Sequence, residues 1–415
     1  MKNKLFSIVI AFIFIFALIA CGSTSNSLNN SDKAVNSDSA TITVAARDGS
    51  HSDVINAVKS AFEQSHNCQI KIVSLSAEDI HDNAIADSGN DIGQYDVIMI
   101  DDPLMPEYIE KDILCNLTQL GYIDDEDFVE KSRLLGKDPY PLGATYALPF
   151  SGNVQLIFYN KELLGDSPDL SNWESILQTC LKVKASGNDG YAIRGQTGNP
   201  IVSDFLPILW AFGGDIFDEN NNVVLDSSES RDALSFYCDL KETGSNYDKN
   251  ALIDAVTSGK ASIALGWPSW FISENGSSAE IAQIPGKKDS SSVVLSTGEI
   301  GNWLLGITTN SANKELSLEL IKYLTSESVQ RQALSFGGIP TRKSIFRDKE
   351  ILKEYPFFDA IYLGTNNSRV RPRTTKWSKI EDVFGAELVK CLNNEQSIDQ
   401  TIVNSQKAIE LLKNE

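Results

Sequence analysis

Between Thr41 and Ile100 the chain alternates two kinds of hydrophobic pattern, and that alternation limits the folds open to it. Thr41 to Ala46 reads as a strand, and Ser52 then opens an amphipathic helix with Val54, Ile55, Val58, Ala61 and Phe62 at helical spacing. Gln69 to Leu75 is a second strand and Asp96-Val97-Ile98-Met99-Ile100 a buried third one. A strand–helix–strand order of this kind builds a parallel sheet covered by helices on both faces. Such open sheets take their ligands outside the carboxyl ends of their strands.

A second set of elements starts near Asn153. Strands are expected at Val154 to Asn160, Ala261 to Leu265 and Asn302 to Thr308, and helices from Asn172 through Lys184, over Phe205 to Phe212 and over Ser228 to Thr243. The helix pair Lys314 to Thr325 and Ser326 to Phe336 follows, Pro340 interrupts the pattern, and Ser378 to Asn393 and Ser397 to Lys413 close the chain as helices. About 375 residues of this kind are too many for one ordinary core and enough for two lobes.

The first forty residues belong to neither lobe. Lys2 and Lys4 precede an uncharged, mostly apolar run from Leu5 to Ala20, shorter than the ~20 residues that span a bilayer as a helix. It ends in Leu18-Ile19-Ala20-Cys21-Gly22, which resembles the bacterial lipobox, so residues 1–20 are expected to be a lipoprotein signal peptide and Cys21 the lipidated residue. A cleaved ordinary signal with a chance Cys is the alternative. The polar Ser/Asn-rich stretch that completes 21–40 reads as a flexible tether. The expected location is therefore the extracytoplasmic face of a bacterial cell membrane, held by lipid.

A formal charge of −20 becomes −22 once Lys2 and Lys4 leave with the signal. An acidic surface disfavours nucleic acid and anionic headgroups as partners. Beyond Cys21, the remaining Cys68, Cys115, Cys180, Cys238 and Cys391 are odd in number and widely spaced, unlike a disulfide framework or a CxxC metal site. Asp218, Asn220, Asn222, Asp226 and Glu229 have the spacing of calcium-loop oxygens, but Val223 stands where the sharp-turn glycine is needed. A hairpin turning at Asn221-Asn222, followed by helix capping at Ser228, accounts for the same residues. No metal and no cofactor is expected.

A set of short strings, in order, carries a family likeness: Tyr95-Asp96-Val97-Ile98-Met99-Ile100-Asp101, Ala147-Leu148-Pro149-Phe150, Gln155-Leu156-Ile157-Phe158-Tyr159-Asn160-Lys161, Asn172-Trp173-Glu174, Phe212-Gly213-Gly214, Ser258-Gly259-Lys260-Ala261, Gly301-Asn302-Trp303 and Gly338-Ile339-Pro340-Thr341-Arg342. Together they resemble the extracellular solute-binding proteins of carbohydrate ABC importers, the maltose- and trehalose-binding group in particular, from about Thr41 almost to the C-terminus. The resemblance implies an α/β, two-lobe periplasmic-binding-protein-like fold of the type II, Venus-flytrap kind, with chain crossings near Asn153, Gly301 and Thr341. Lobe I would be 41–152 plus 301–341 and lobe II 153–300 plus 342–415. A sugar or oligosaccharide would be trapped between them and passed to the transmembrane subunits of an ABC permease, the receptor itself being a monomer.

A sugar presents apolar C–H faces and a rim of hydroxyls, so its site needs flat aromatic surface and planar polar groups. Trp267 and Trp270 directly follow a strand and Trp303 begins one, which makes them candidates for stacking, with core packing as the competing reading for each. Trp210 lies in an apolar helix, and Trp173 and Trp377 read better as helix-start packing. Asp101 and Asp102 end the third strand, and Asp48 lies in the loop after the first. The resemblance adds a carboxylate role at Asp101, a hydroxyl-binding role at Asn153, and a cleft-lining role for the segment holding Arg371 and Arg373.

Enzymes fare worse. A glycosidase needs two carboxylates about 5–10 Å apart across a cleft, and nothing in the lobe pattern singles out such a pair. Only His51, His66 and His81 are present, without a nucleophile elbow; His66 and His81 read as surface residues, and His51 as a possible neighbour of the ligand. The same fold carrying glycerol phosphate, a polyol or a peptide is the remaining alternative.

Overall fold

The computed structural model describes residues 39–271, 279–287 and 297–414. The signal, Cys21 and all but the last two residues of the tether lie outside them. Among the described residues no helix is long and apolar enough to cross a membrane.

The strands of the two main sheets are β1 (Ala40–Arg47), β2 (Cys68–Leu75), β3 (Val97–Asp101), β4 (Ala147–Ser151), β5 (Leu156–Asn160), β6 (Asp189–Tyr191), β7 (Ala261–Gly266), β8 (Ala279–Ala282) and β9 (Trp303–Ile307). One sheet has the order β2-β1-β3-β9-β4, the other β8-β5-β7-β6. The expected parallel sheet is only partly parallel. β1 runs parallel to β2 and β3, but β9 returns from the far part of the chain antiparallel to both β3 and β4. In the second sheet only β6 and β7 are parallel.

Burial explains these choices. Val97 to Ile100 are all buried, as a central strand covered on both faces must be. Helix α1 (Ser50–His66) turns Val54, Ile55, Val58 and Phe62 inward and ends at Asn67, whose φ of 48° closes it in the left-handed region. In the other lobe α2 (Trp173–Ala185) is capped by Asn172, whose side chain accepts from the Ser175 N–H at 2.8 Å.

Helix α3 (Asn199–Ala211) departs from expectation. It starts six residues before Phe205 because Ser203 and Asp204, polar on paper, are buried with partners. Ser203 Oγ donates to Glu299 at 2.7 Å, and Asp204 accepts from the Tyr237 hydroxyl at 2.8 Å. Buried on every side, this helix is the interior element of its lobe.

The chain passes between the sheets in strands lying side by side. Val154 bridges Ile300 and Glu299 bridges Arg369, while the Gly152 N–H donates to Ile339 at 2.8 Å and the Gly301 N–H to Asn153 at 3.1 Å. The segment with calcium-like spacing forms a hairpin in which Asp218 accepts from the Asn220 and Asn222 N–H groups, and Ser227, one residue earlier than expected, caps the next helix. Among the described residues no cluster of metal-ligating side chains occurs. The five cysteines are unbridged, with Cys238 and Cys391 Sγ 3.9 Å apart.

Candidate functional site between the two sheets

The carboxyl ends of parallel strands from both sheets open onto one cleft, a cavity of about 350 Å³. From the first sheet, β1 delivers Arg47, Asp48 and Gly49, β3 delivers Asp101, and β9 begins at Trp303 opposite Asp101. From the second, β7 delivers Trp267, Ser269 and Trp270, and Arg194 follows β6. Asn199 opens α3, and Lys249 opens α4 (Lys249–Thr257).

Seven of the nine expected site residues line this cavity: Asp48, Asp101, Asn153, Trp267, Trp270, Trp303 and Arg371. Trp267 is only 8% exposed, and its indole lies so close to Gly301 that a Cβ there would meet ring carbons at 2.6 Å. Glycine at 301 therefore lets the indole edge approach a crossing segment closely. Trp303 stands 5.8 Å from the His51 ring and faces the Arg47 guanidinium. Trp270 is engaged differently, with Arg194 5.0 Å and Lys249 5.6 Å from its ring centroid. Asn153 donates from Nδ2 to Ser269 at 3.1 Å and takes the Asn302 side-chain oxygen on its N–H at 3.0 Å. Its Oδ1 is buried and has no hydrogen-bond partner among the described residues.

The other two expected residues, Asp102 and Arg373, require correction from ligand-facing to supporting positions. Asp102 is fully buried behind the cleft, where it accepts from the Asn302 N–H at 3.0 Å and from Arg371 at 3.1 Å. Burial pushes its carboxyl up to about 6 against the pull of Arg371. Arg373 turns away to the backbone carbonyls of Asp102, at 2.9 Å, and Leu135, at 3.2 Å. Residues two apart in an extended segment share a face, so the sequence alone would pair Arg371 with Arg373. The segment is irregular here, the Thr374 N–H donating back to the Pro372 carbonyl at 3.2 Å, and the two guanidinium groups take different partners.

Arg371 is the centre of the floor. Burial alone would weaken its hold on the proton, but Asp101 at 2.8 Å and Asp102 drive it well above the ordinary arginine value. Beneath it Glu299 is pushed up to about 8 and Glu381 to about 7, both by burial. His51, expected as a neighbour of the ligand, lines the cleft at the start of α1 and is lowered to about 4 by burial and then by Arg47, so it is neutral at pH 7. His81 is tied to Glu107 at 3.1 Å and His66 stacks on Phe62.

Arg47, Arg194, Asn199, Lys249 and Ser269 line the cavity without having been singled out from the sequence. Arg47 could have been found, since it ends a clear strand. Arg194 and Lys249 follow a three-residue strand and open a short helix, neither of which has enough periodicity to be read.

The model of bacterial extracellular solute-binding proteins matches residues 48–331, well over half of the chain. The chain belongs to that family. It is 23% identical over 279 residues to a probable ABC transporter-binding protein of Deinococcus radiodurans, covering 61% of this chain and 66% of that one. It is 22% identical over 302 residues to the maltotriose-binding protein of Pyrococcus abyssi, covering 71% and 65%. The chain thus spans somewhat under two thirds of the length of these curated relatives. Among solved structures, maltose-bound MalE3 of T. maritima superposes with a TM-score of 0.79 at 24% identity, covering 90% of this chain and all of that one. A solute-binding protein of Agrobacterium radiobacter K84 in complex with ribitol gives 0.77 at 20% identity, covering 90% and 98%. At these identities the superpositions establish a shared two-lobe fold.

Proposed function

We propose that this solute-binding protein is a lipid-anchored receptor that takes a sugar or oligosaccharide into the cleft and hands it to an ABC permease, without chemistry of its own. The observation that carries the reading is the meeting of three indoles with Asp101, Asn153 and Arg371 in one cavity between two sheets. Trp267 and Trp303 supply apolar surface for sugar faces. Asp48 and Asp101 supply hydroxyl acceptors, and Asn153 adds an amide beside them at the cavity wall. Each of the two lining carboxylates is held by an arginine, Asp48 by Arg47 and Asp101 by Arg371. Those pairings leave carboxylate oxygens that can accept from sugar hydroxyls. In this reading lobe I is 41–152 plus 301–341, lobe II is 153–300 plus 342–415, and ligand draws them together.

Isothermal titration calorimetry with mono- and oligosaccharides, and with polyols as a second arm, tests the cargo. Reversible saturable binding without product formation is expected; hydrolysis of a bound glycan, or silence across every saccharide, would end the proposal. The anchor is tested separately: Cys21→Ala should release the protein into the medium, and retention on the membrane would exclude lipidation at Cys21.

A further inference from the structure

The proposed carbohydrate cargo can be narrowed, and what narrows it is charge. The protein as a whole carries −20, yet the cavity is lined by four cations, Arg47, Arg194, Lys249 and Arg371, against the two carboxylates Asp48 and Asp101. Those two carboxylates are already used, by Arg47 and Arg371. Arg194 and Lys249 are left facing the indole of Trp270 and make no ion pair among the described residues.

The carboxylates whose fields reach them are engaged elsewhere. Asp48, which acts on Lys249, is bound to Arg47. Asp204, Glu299 and Glu381, which act on Arg194, are hydrogen-bonded to Tyr237, Ser203 and Asn199. Burial raises all three, to about 7, about 8 and about 7, so much of their charge is absent near neutral pH. Burial lowers both cations, and Arg47 and Arg194 lower Lys249 further. Arg194 is half-buried and Lys249 exposed at the cleft; their like charges repel one another, and an anion entering between them relieves that cost. Helix α1 adds the positive end of its dipole, since it begins at the cleft with no side-chain cap.

We infer that the cleft selects an acidic saccharide, one whose uronate carboxylate sits between Arg194 and Lys249 beside Trp270; this rests on the carbohydrate reading above. A uronate suits this lining because its carboxylate is fixed directly to a sugar ring whose apolar faces can stack on an indole. A phosphate monoester, standing off on a rotatable bond with up to two charges, is the competing anion that the test separates from it.

The test is calorimetry on the purified protein with digalacturonate and glucuronosyl-glucose, each against its carboxyl-reduced counterpart, with glucose 6-phosphate as a further arm. At least one acid should bind tenfold or more tightly than its reduced form, and that preference should shrink toward unity in Lys249→Met and in Arg194→Gln. Each variant is checked by its melting curve, and either one with an intact fold suffices. Equal or better binding of the reduced sugars overturns the inference and leaves a neutral-carbohydrate receptor standing. Binding of glucose 6-phosphate but no uronate, or an acid preference that survives both substitutions, also overturns it. Failure of every saccharide removes the carbohydrate reading itself.

Discussion

Two groups of arginine and lysine share the cleft and live under opposite conditions. At the floor, Arg371 is 3% exposed and gripped by Asp101 and Asp102. Near Trp270, Arg194 and Lys249 contact an aromatic ring and, among the described residues, form no ion pair. The floor is a finished structure, joining the end of β3 to a segment near the C-terminus. The Trp270 region is electrostatically incomplete. Arg194 is half-buried and Lys249 exposed, so water screens part of their repulsion, and in the acidic-saccharide reading an anion from outside is what completes them. The contrast separates residues that hold the cleft from residues that read its contents.

The largest test of that contrast is Arg371→Ala. It should leave Asp102 buried and uncompensated and cost about 3–5 kcal/mol of stability, seen as a lowered urea midpoint. A midpoint within experimental error of the parent would mean that Arg371 reads ligand and does not hold structure.

Trp267→Ala comes next. It should weaken saccharide binding by about 1–3 kcal/mol, from the aromatic area returned to water. Unchanged affinity with the fold intact would return this indole to the core. Asp101→Asn should weaken binding less, by roughly 1 kcal/mol, because an amide oxygen accepts hydroxyl protons less strongly than a carboxylate; equal or tighter binding by calorimetry would remove Asp101 from the contact set.

A separate test, read as a pH slope, concerns the layer beneath the floor. Glu299 has its ordinary value of 4.5 raised to about 8 in the fold. The folded state therefore binds a proton that the unfolded state has lost, and its contribution is complete below about 4.5 and disappears as pH climbs through about 8. Denaturation series should show Glu299→Gln losing less stability than the parent between pH 5 and 8. A parallel pH dependence in the two proteins would place the ionised form of Glu299 in the fold.

Much of the architecture was legible because the hydrophobic periods are clean. β1, β3 and β9 fall within a residue of where alternation and apolar runs put them, and α1 starts two residues early. The start of α3 was missed because Ser203 and Asp204 look like surface residues until Tyr237 and Glu299 arrive to satisfy them. At the site, residues at the ends of strong strands could be nominated, as Asp48, Asp101, Trp267 and Trp303 were. Asp102 was nominated as the neighbour of Asp101 at a strand end and Arg373 from the family resemblance. Neither source carries the tertiary contacts that turn Asp102 to Arg371 and Arg373 to the carbonyls of Asp102 and Leu135.

The order of residues by itself determined the alternation of strand and helix, the split into two sheets and the aromatic character of the cleft, because each depends on patterns a few residues long. Only the tertiary structure decided that β9 would run antiparallel, which acids stand behind the cleft, and that Arg194 and Lys249 would meet around one indole without a countercharge. Those outcomes depend on distances between segments tens to hundreds of residues apart, and electrostatic interaction follows distance in space, whatever the separation along the chain.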